Sequence, residues 1–292
     1  MYSKKIRTAT VAGQFYEGVP GQLRKNIEEY LKEAQENPLS EDAVVQSVVV
    51  PHAGYVYSGK TAAKTLVTAT KNSDYKRIIV IAPSHYVGFS GIAIPAYDAC
   101  STPLGDIAVD TEVTDRISGN HFVKNDQAHL YEHSLEVQLP FIQTLFPGIP
   151  VLPFVCGQID SLTAEEIAQT LLPFWNTETL WVISSDFTHY GQQFNYIPFT
   201  DNIQENLRKL DFGAVDKILD FDLKGFEEYL HKTGATICGQ NPIMVMLATA
   251  NLAKDKHPLK TKLIDYTTSG DLTGDYNHTV SYAGIAVYES KK

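Results

Sequence analysis

Three short apolar runs each lead into a histidine. Ser47-Val48-Val49-Val50 ends in Pro51-His52, and Ile78-Ile79-Val80-Ile81 ends in Ala82-Pro83-Ser84-His85. Leu180-Trp181-Val182-Ile183 runs through Ser184-Ser185-Asp186-Phe187-Thr188 to His189. A neutral imidazole is a common metal ligand and an imidazole moves protons near pH 7, so three gathered in one pocket make a metal or proton-transfer site. The ordinary alternative is that each ring caps a sheet edge by bonding a backbone carbonyl. Cys238, in Thr236-Ile237-Cys238-Gly239-Gln240-Asn241-Pro242, directly precedes a predicted helix. A helix N-terminus favours the thiolate, the form that ligates metals or attacks substrates. Cys100 and Cys156 lack that context and read as small buried apolar groups. Asp186, three residues before His189, has the chemistry to ligate, to orient a ligand histidine or to act as a base, with His189 moving a proton beside it. The plain reading of Asp186 is an N-cap. Glu132-His133-Ser134-Leu135-Glu136 places His133 at a helix start, with His129 nearby, and leaves the roles of both open. His121, His231 and His257 lie in polar stretches and read as solvated.

The elements that position these residues follow from periodicity. Short β-branched runs bounded by turn residues read as buried, parallel strands. The run 149–155 is a fourth such strand, and 261–268 and 279–288 are two more. Helical spacing appears over 20–35, 59–71, 164–175 after a Thr163–Glu166 capping box, 201–231 with an interruption near Gly213, and 242–253 with Asn241 as cap and Pro242 in the first turn. Leu135, Leu139, Ile142 and Leu145 continue one more helix. Strands alternating with helices predict a layered α/β fold with a mainly parallel central sheet. With no repeat, low-complexity segment or long linker, one domain over 1–292 is expected. In such folds ligands bind outside the carboxyl ends of the strands, where His52, His85 and His189 fall.

Composition narrows the function classes. A 43% hydrophobic content supplies a large core, and 20% charged residues argue against disorder. Lys and Arg number 24 against 34 Asp and Glu, a net charge of -10 that repels nucleic-acid backbones and acidic membrane surfaces. Three scattered cysteines give no disulfide framework or CxxC pair, which fits a reducing, cytoplasmic compartment. The N-terminus lacks the apolar run of a signal peptide, and no stretch reaches the roughly 20 apolar residues of a membrane helix.

Gly54-Tyr55-Val56-Tyr57-Ser58-Gly59-Lys60-Thr61 matches G-x-x-x-x-G-K-[ST] between a strand and a helix, the context of a nucleotide-binding phosphate loop. Leu180 to Asp186 even resembles the strand and Asp that hold magnesium in such enzymes. The phosphate-loop reading ranks low. Tyr55, Val56 and Tyr57 are bulky where consecutive backbone N–H groups must wrap phosphates, and the reading leaves His52, His85, His189 and Cys238 unexplained.

Taken in order, Ala12-Gly13-Gln14-Phe15-Tyr16, Pro51-His52-Ala53-Gly54-Tyr55, Pro83-Ser84-His85, Thr102-Pro103-Leu104-Gly105-Asp106, Glu132-His133-Ser134-Leu135-Glu136, Ser184-Ser185-Asp186-Phe187, Ile237-Cys238-Gly239 and Ser281-Tyr282-Ala283 resemble the Memo family over nearly the whole chain. The resemblance implies a fold shared with class III, LigB-type non-haem iron dioxygenases. It also implies a metal held by two histidines and a cysteine, which fall on His52, His85 and Cys238, with Asp186 and His189 in the same pocket. It makes the phosphate-loop match a coincidence. Those dioxygenases use two histidines and a carboxylate. A thiolate in the third place shifts preference toward copper, zinc or a differently tuned iron, and is itself oxidisable. Ring cleavage therefore does not carry over with the fold. The expected function is a redox metalloprotein, on iron or copper with zinc as the further choice, acting on a small molecule or peptide in that pocket. Tyr55 and Tyr57 are available to line its entrance, with core packing the plainer role for both. The competing function is a recognition module without catalysis, since eukaryotic family members are linked to motility signalling and phosphotyrosine peptides.

Overall fold

The computed structural model describes residues 4–34, 38–71, 74–255 and 258–290. Its strands, in chain order, are β1 (Ile6–Arg7), β2 (Ala43–Val50), β3 (Arg77–Pro83), β4 (Ile92–Ile94), β5 (Ala99–Thr102), β6 (Gly105–Ala108), β7 (Phe122–Lys124), β8 (Val151–Cys156), β9 (Thr179–Ser184), β10 (His189–Gly191), β11 (Leu259–Thr268) and β12 (His278–Ser290). The large sheet runs β10-β12-β2-β9-β3-β8-β4-β7, with β11 also paired to β12. Its four central strands, β2, β9, β3 and β8, are mutually parallel. β12 joins β2 antiparallel, and β11 pairs antiparallel with β12, as a returning hairpin must. A small sheet, β1-β5-β6, carries the N-terminus.

Every residue of β2, β8 and β9 is buried, because helices cover both faces of the sheet. The period of two divides the core. Val49, Ile79, Ile81, Trp181 and Ile183 pack with the helices Ser161–Leu171, Ile203–Leu219, Leu223–Thr233 and Gln240–Ala253. Val48, Val50, Ile78, Val80, Leu180 and Val182 pack on the other face with the helices Pro20–Glu33, Tyr55–Val67 and Leu139–Leu145. The mixed α/β class with a large, mostly parallel sheet stands as the sequence predicts.

Element boundaries depart from expectation where local chemistry differs from the pattern. The helix expected from Thr163 starts at Ser161, because the Asp160 carboxylate accepts from Thr163 N at 2.8 Å and takes the cap role. The helix expected from Asn241 starts at Gln240. Asn241 does not cap it; its side-chain amide donates instead to Gly157 O at 2.9 Å. The interruption expected near Gly213 lies at residues 220–222, beside Phe221 at a φ of 55°. Gly213 sits inside the helix to admit Tyr229, whose hydroxyl would lie 2.3 Å from an added Cβ. The helix expected through Leu135–Leu145 is two short ones, His133–Glu136 and Leu139–Leu145.

The phosphate-loop reading is overturned. Gly54 is the N-cap and Tyr55–Val67 is already α-helix, so the residues that would have to wrap a phosphate are committed to helical hydrogen bonding. Lys60 points outward and pairs with Glu33 at 2.6 Å.

One charge pair ties the N-terminus to the sheet edge. Arg7 and Glu136 are almost wholly buried, 2.8 Å apart. Glu136 also accepts from Thr10 N, Val11 N and the Tyr16 hydroxyl. Arg7 donates to His129 O and Glu132 O. This network fixes two segments that border the strand ends, the 10–16 loop and the turn carrying Glu132 and His133. Removing either charge would strand the other in the core, a strongly destabilising change.

Candidate metal centre

The parallel strands β2, β3 and β9 deliver His52, His85 and Asp186 to the same carboxyl edge. One ring nitrogen from each of His52, His85 and His133 lies within 4.8 Å of the others, the one such group of metal-ligating side chains among the described residues. His133 joins them because its short helix ends the turn that Arg7 grips. The His85 and His133 rings lie 4.6 Å apart, and His52 is 5.3 Å and 5.5 Å from them.

Hydrogen bonds set which nitrogen each ring presents. Ser184 Oγ donates to Ser134 O at 2.7 Å, so its lone pairs must accept from His52 Nδ1–H at 2.9 Å. Gln138 Nε2 donates to the same oxygen. His85 Nδ1 lies 2.7 Å from the buried Glu132 carboxylate, which also accepts from His85 N. Both rings are therefore held as the Nδ1–H tautomer with Nε2 unprotonated. This is how a carboxylate or hydroxyl aims a metal ligand. His189 Nδ1 donates to Thr236 O at 3.1 Å, leaving its Nε2 free likewise. The edge-capping role expected as the ordinary alternative is thus seen for His189, whereas His52 and His85 bond side chains.

Cys238 stands on the His52 side of the group, with Sγ 3.2 Å from His52 Nε2. It accepts from Asp186 N at 3.2 Å. Asp186 is buried, and its Oδ1 accepts from His52 N at 2.7 Å; it caps no turn. Burial pushes the Asp186 carboxyl upward, partly countered by His189. Burial, then Asp186, push the Cys238 thiol well above its usual range. This direction runs against the thiolate expected from the helix start. The helix starts at Gln240, and its dipole is outweighed by desolvation. Burial, then the neighbouring His85, depress His133 to about 4, and the same causes with His133 and His189 hold His52 well below the ordinary imidazole value. Both shifts favour the neutral ring, the form a metal ligand needs. Glu132 is drawn upward by burial, but the hydrogen bonds from His85 and Ser134 win and its carboxyl lies below the usual range.

A cavity of about 520 Å³ borders this group through His133. Asp186, His133 and His189 line it, with Phe15, Tyr57, Phe194 and Tyr282 among its walls. Tyr57 thus lines the entrance; Tyr55 is core, its hydroxyl donating to Val137 O. His129 is buried elsewhere, donating to Ala93 O and accepting from the Tyr97 hydroxyl. His121 is paired with Glu166, contrary to its solvated reading, and His231 is exposed. His257 lies outside the described residues. Cys100 and Cys156 are buried free thiols, as expected. Sequence reasoning missed Glu132, Ser184 and Thr236 as orienting partners.

A family model described as Memo-like protein matches residues 7–286. The chain belongs to the Memo family. Curated relatives named MEMO1 family proteins match it end to end. That of Methanosarcina mazei is 34% identical over 288 residues, covering 97% of this chain and 99% of its own length. That of Thermococcus onnurineus is 32% identical, over 96% and 98%, and that of Methanococcoides burtonii 35%, over 97% and 100%. The solved structure of an uncharacterized protein from Escherichia coli K12 is similar to this Memo chain in fold, with a TM-score of 0.50 over 83% of the chain and 99% of its own at 10% identity. No helix among the described residues of this Memo chain is long and apolar enough to cross a membrane.

Proposed function

We propose that the chain is a metal-dependent oxidoreductase acting on a small molecule, in which His52, His85 and Cys238 hold a redox ion, iron or copper. The observation that carries this reading is the pair of locked tautomers. His52 and His85 each spend Nδ1–H on a buried acceptor and keep Nε2 bare, and Cys238 Sγ sits against His52 Nε2. Ligands at about 2.1 Å and 2.3 Å from one ion lie about 3–4 Å apart, which the 3.2 Å contact satisfies. The thiol must lose its proton on metal binding, so affinity should rise with pH. His133 belongs to the same group and also lines the cavity. The mixed nitrogen and sulfur donors favour copper, zinc or iron over magnesium or calcium, and zinc would supply Lewis-acid rather than redox chemistry. His189 takes or returns a proton at its free Nε2, and Asp186 fixes the His52 backbone.

Three free cysteines support a reducing compartment such as the cytoplasm. The cavity favours a small molecule over a phosphotyrosine peptide, because no lysine or arginine among the described residues lines it to receive a phosphate. The test is elemental analysis of protein purified anaerobically, alongside His52→Ala, His85→Ala, His133→Ala and Cys238→Ser. The expected result is near-stoichiometric iron or copper, lost in the His52, His85 and Cys238 variants. Full metal content in both His52→Ala and Cys238→Ser refutes the assignment. Metal-dependent oxygen consumption with a panel of small reductants then tests the redox activity.

A further inference from the structure

The cavity lining carries two carboxyl groups, three imidazoles (His133, His189 and His278) and no described lysine or arginine. Two carboxylates face it at different depths, Asp186 buried at its inner end and Asp275 exposed at its rim. Neither is in an ion pair among the described residues, and no lysine or arginine lines the space. Asp275 Oδ1 accepts from Asn277 N at 2.9 Å, which holds the carboxylate in place. The walls between the two are aromatic. The Phe194 ring meets His189 edge-on at 5.0 Å and stacks on His278 at 4.8 Å with planes 14° apart. Tyr57 and Tyr282 also line the space. The volume of about 520 Å³ is that of a small-molecule site.

We propose that this cavity takes a small molecule with a flat apolar body and a protonated amine, and that Asp275 is the residue that selects the amine. The apolar body fills the aromatic stretch, where ring contacts recover its burial. The amine remains at the rim beside Asp275, so neither charge is stripped of water. A carboxylate or phosphate in the same pose would face acidic groups with no side-chain cation to offset them. The inference rests on the preceding section only in taking the cavity as the approach to His52 and His85.

The test is calorimetric titration of the full chain at pH 8 with three matched probes: phenethylamine, 2-phenylethanol and phenylacetate. Each is run on metal-free and metal-loaded protein whose metal content is measured separately. In the metal-free protein phenethylamine should bind about three- to fivefold more tightly than the alcohol, the fold-change of one exposed ion pair, and phenylacetate more weakly than both. Asp275→Asn should erase the amine preference and leave the alcohol unchanged. Phe194→Ala should weaken amine and alcohol alike. In the metal-free protein, equal affinity for the three probes, a preference for phenylacetate, no detectable amine binding at millimolar concentration, or an amine preference that survives in Asp275→Asn overturns the proposal. An amine preference in protein that takes up no iron or copper on loading leaves it standing and refutes the metal assignment. Metal without the amine preference does the reverse.

Discussion

Glu132→Gln is the most direct test of how the centre is aimed. Glu132 is buried and accepts four hydrogen bonds: from His85 N and Nδ1, each at 2.7 Å, from Ser134 Oγ at 2.7 Å and from Ser134 N at 3.2 Å. A glutamine keeps one acceptor oxygen and turns the other into a donor. If the new NH2 faces His85 N, two donors meet in a buried place, costing about 1–3 kcal/mol of stability. If it faces Nδ1, the His85 ring must shift its proton to Nε2, which caps the nitrogen proposed to bind the ion. Second-sphere losses of this kind lower metal affinity by about 10- to 100-fold, or about 1.4–2.7 kcal/mol. Chelator competition under anaerobic conditions measures the affinity, long-range ¹H–¹⁵N NMR the His85 tautomer, and thermal unfolding the stability. A variant that binds metal within about twofold of the parent, keeps Nδ1–H on His85 and unfolds at the same temperature would refute the tautomer reasoning.

Other substitutions separate the site from its surroundings. A Cβ on Gly239 would lie 2.3 Å from Ser185 Cβ and 2.6 Å from Ser184 O, so Gly239→Ala should cost about 1–3 kcal/mol, displace Cys238 from His52 and lower metal content; unchanged unfolding and metal content would show that the loop yields. Burial pushes His129 down to about 4. Its folded value lies below the unfolded one, so the unfolded chain binds the extra proton and stability falls as pH drops from about 6.5 to 4. His129→Gln should flatten that slope by up to one proton, about 3 kcal/mol across the window, in urea titrations; an unaltered slope refutes the assignment. Lys60→Ala removes only a half-exposed pair with Glu33 and should change stability by less than about 1 kcal/mol. ATP should not raise the unfolding temperature of either protein, and a rise abolished by the substitution would restore the phosphate-loop reading.

Much of the centre is legible in the chain because a parallel strand followed by a polar residue has one geometric meaning. Val48–Val50, Ile78–Ile81 and Leu180–Ile183 are buried on both faces, so their polar successors must emerge at one edge. What pattern does not carry is the partner that arrives from a distant part of the chain. Glu132 meets His85 across 47 residues and Ser184 meets His52 across 132. The motif Glu132-His133-Ser134-Leu135-Glu136 was the available signal, yet its two glutamates do different work: one aims His85, the other anchors Arg7. Only the fold separates them. Gly54–Thr61 shows the converse, because a motif defined by residue types holds its meaning only if the backbone is free to loop, and here it is helical from Tyr55.

Cys238 shows a local rule in competition with burial. A helix terminus offers a nearby anion about 0.3–1 kcal/mol. Burying a thiolate beside the Asp186 carboxylate opposes that effect and favours the thiol, whose Sγ lies 3.2 Å from His52 Nε2. The two effects compete at the same atom, and sequence reveals only the weaker. In the proposed centre the consequence is mechanistic. The sulfur becomes a thiolate only when a cation replaces the proton, so metal uptake should release about one proton at pH 7, measurable by calorimetry in buffers of different ionisation enthalpy. Uptake with no proton release would mean that Cys238 stays a thiol, and that His133, already within the same 4.8 Å group, serves as the third donor in its place.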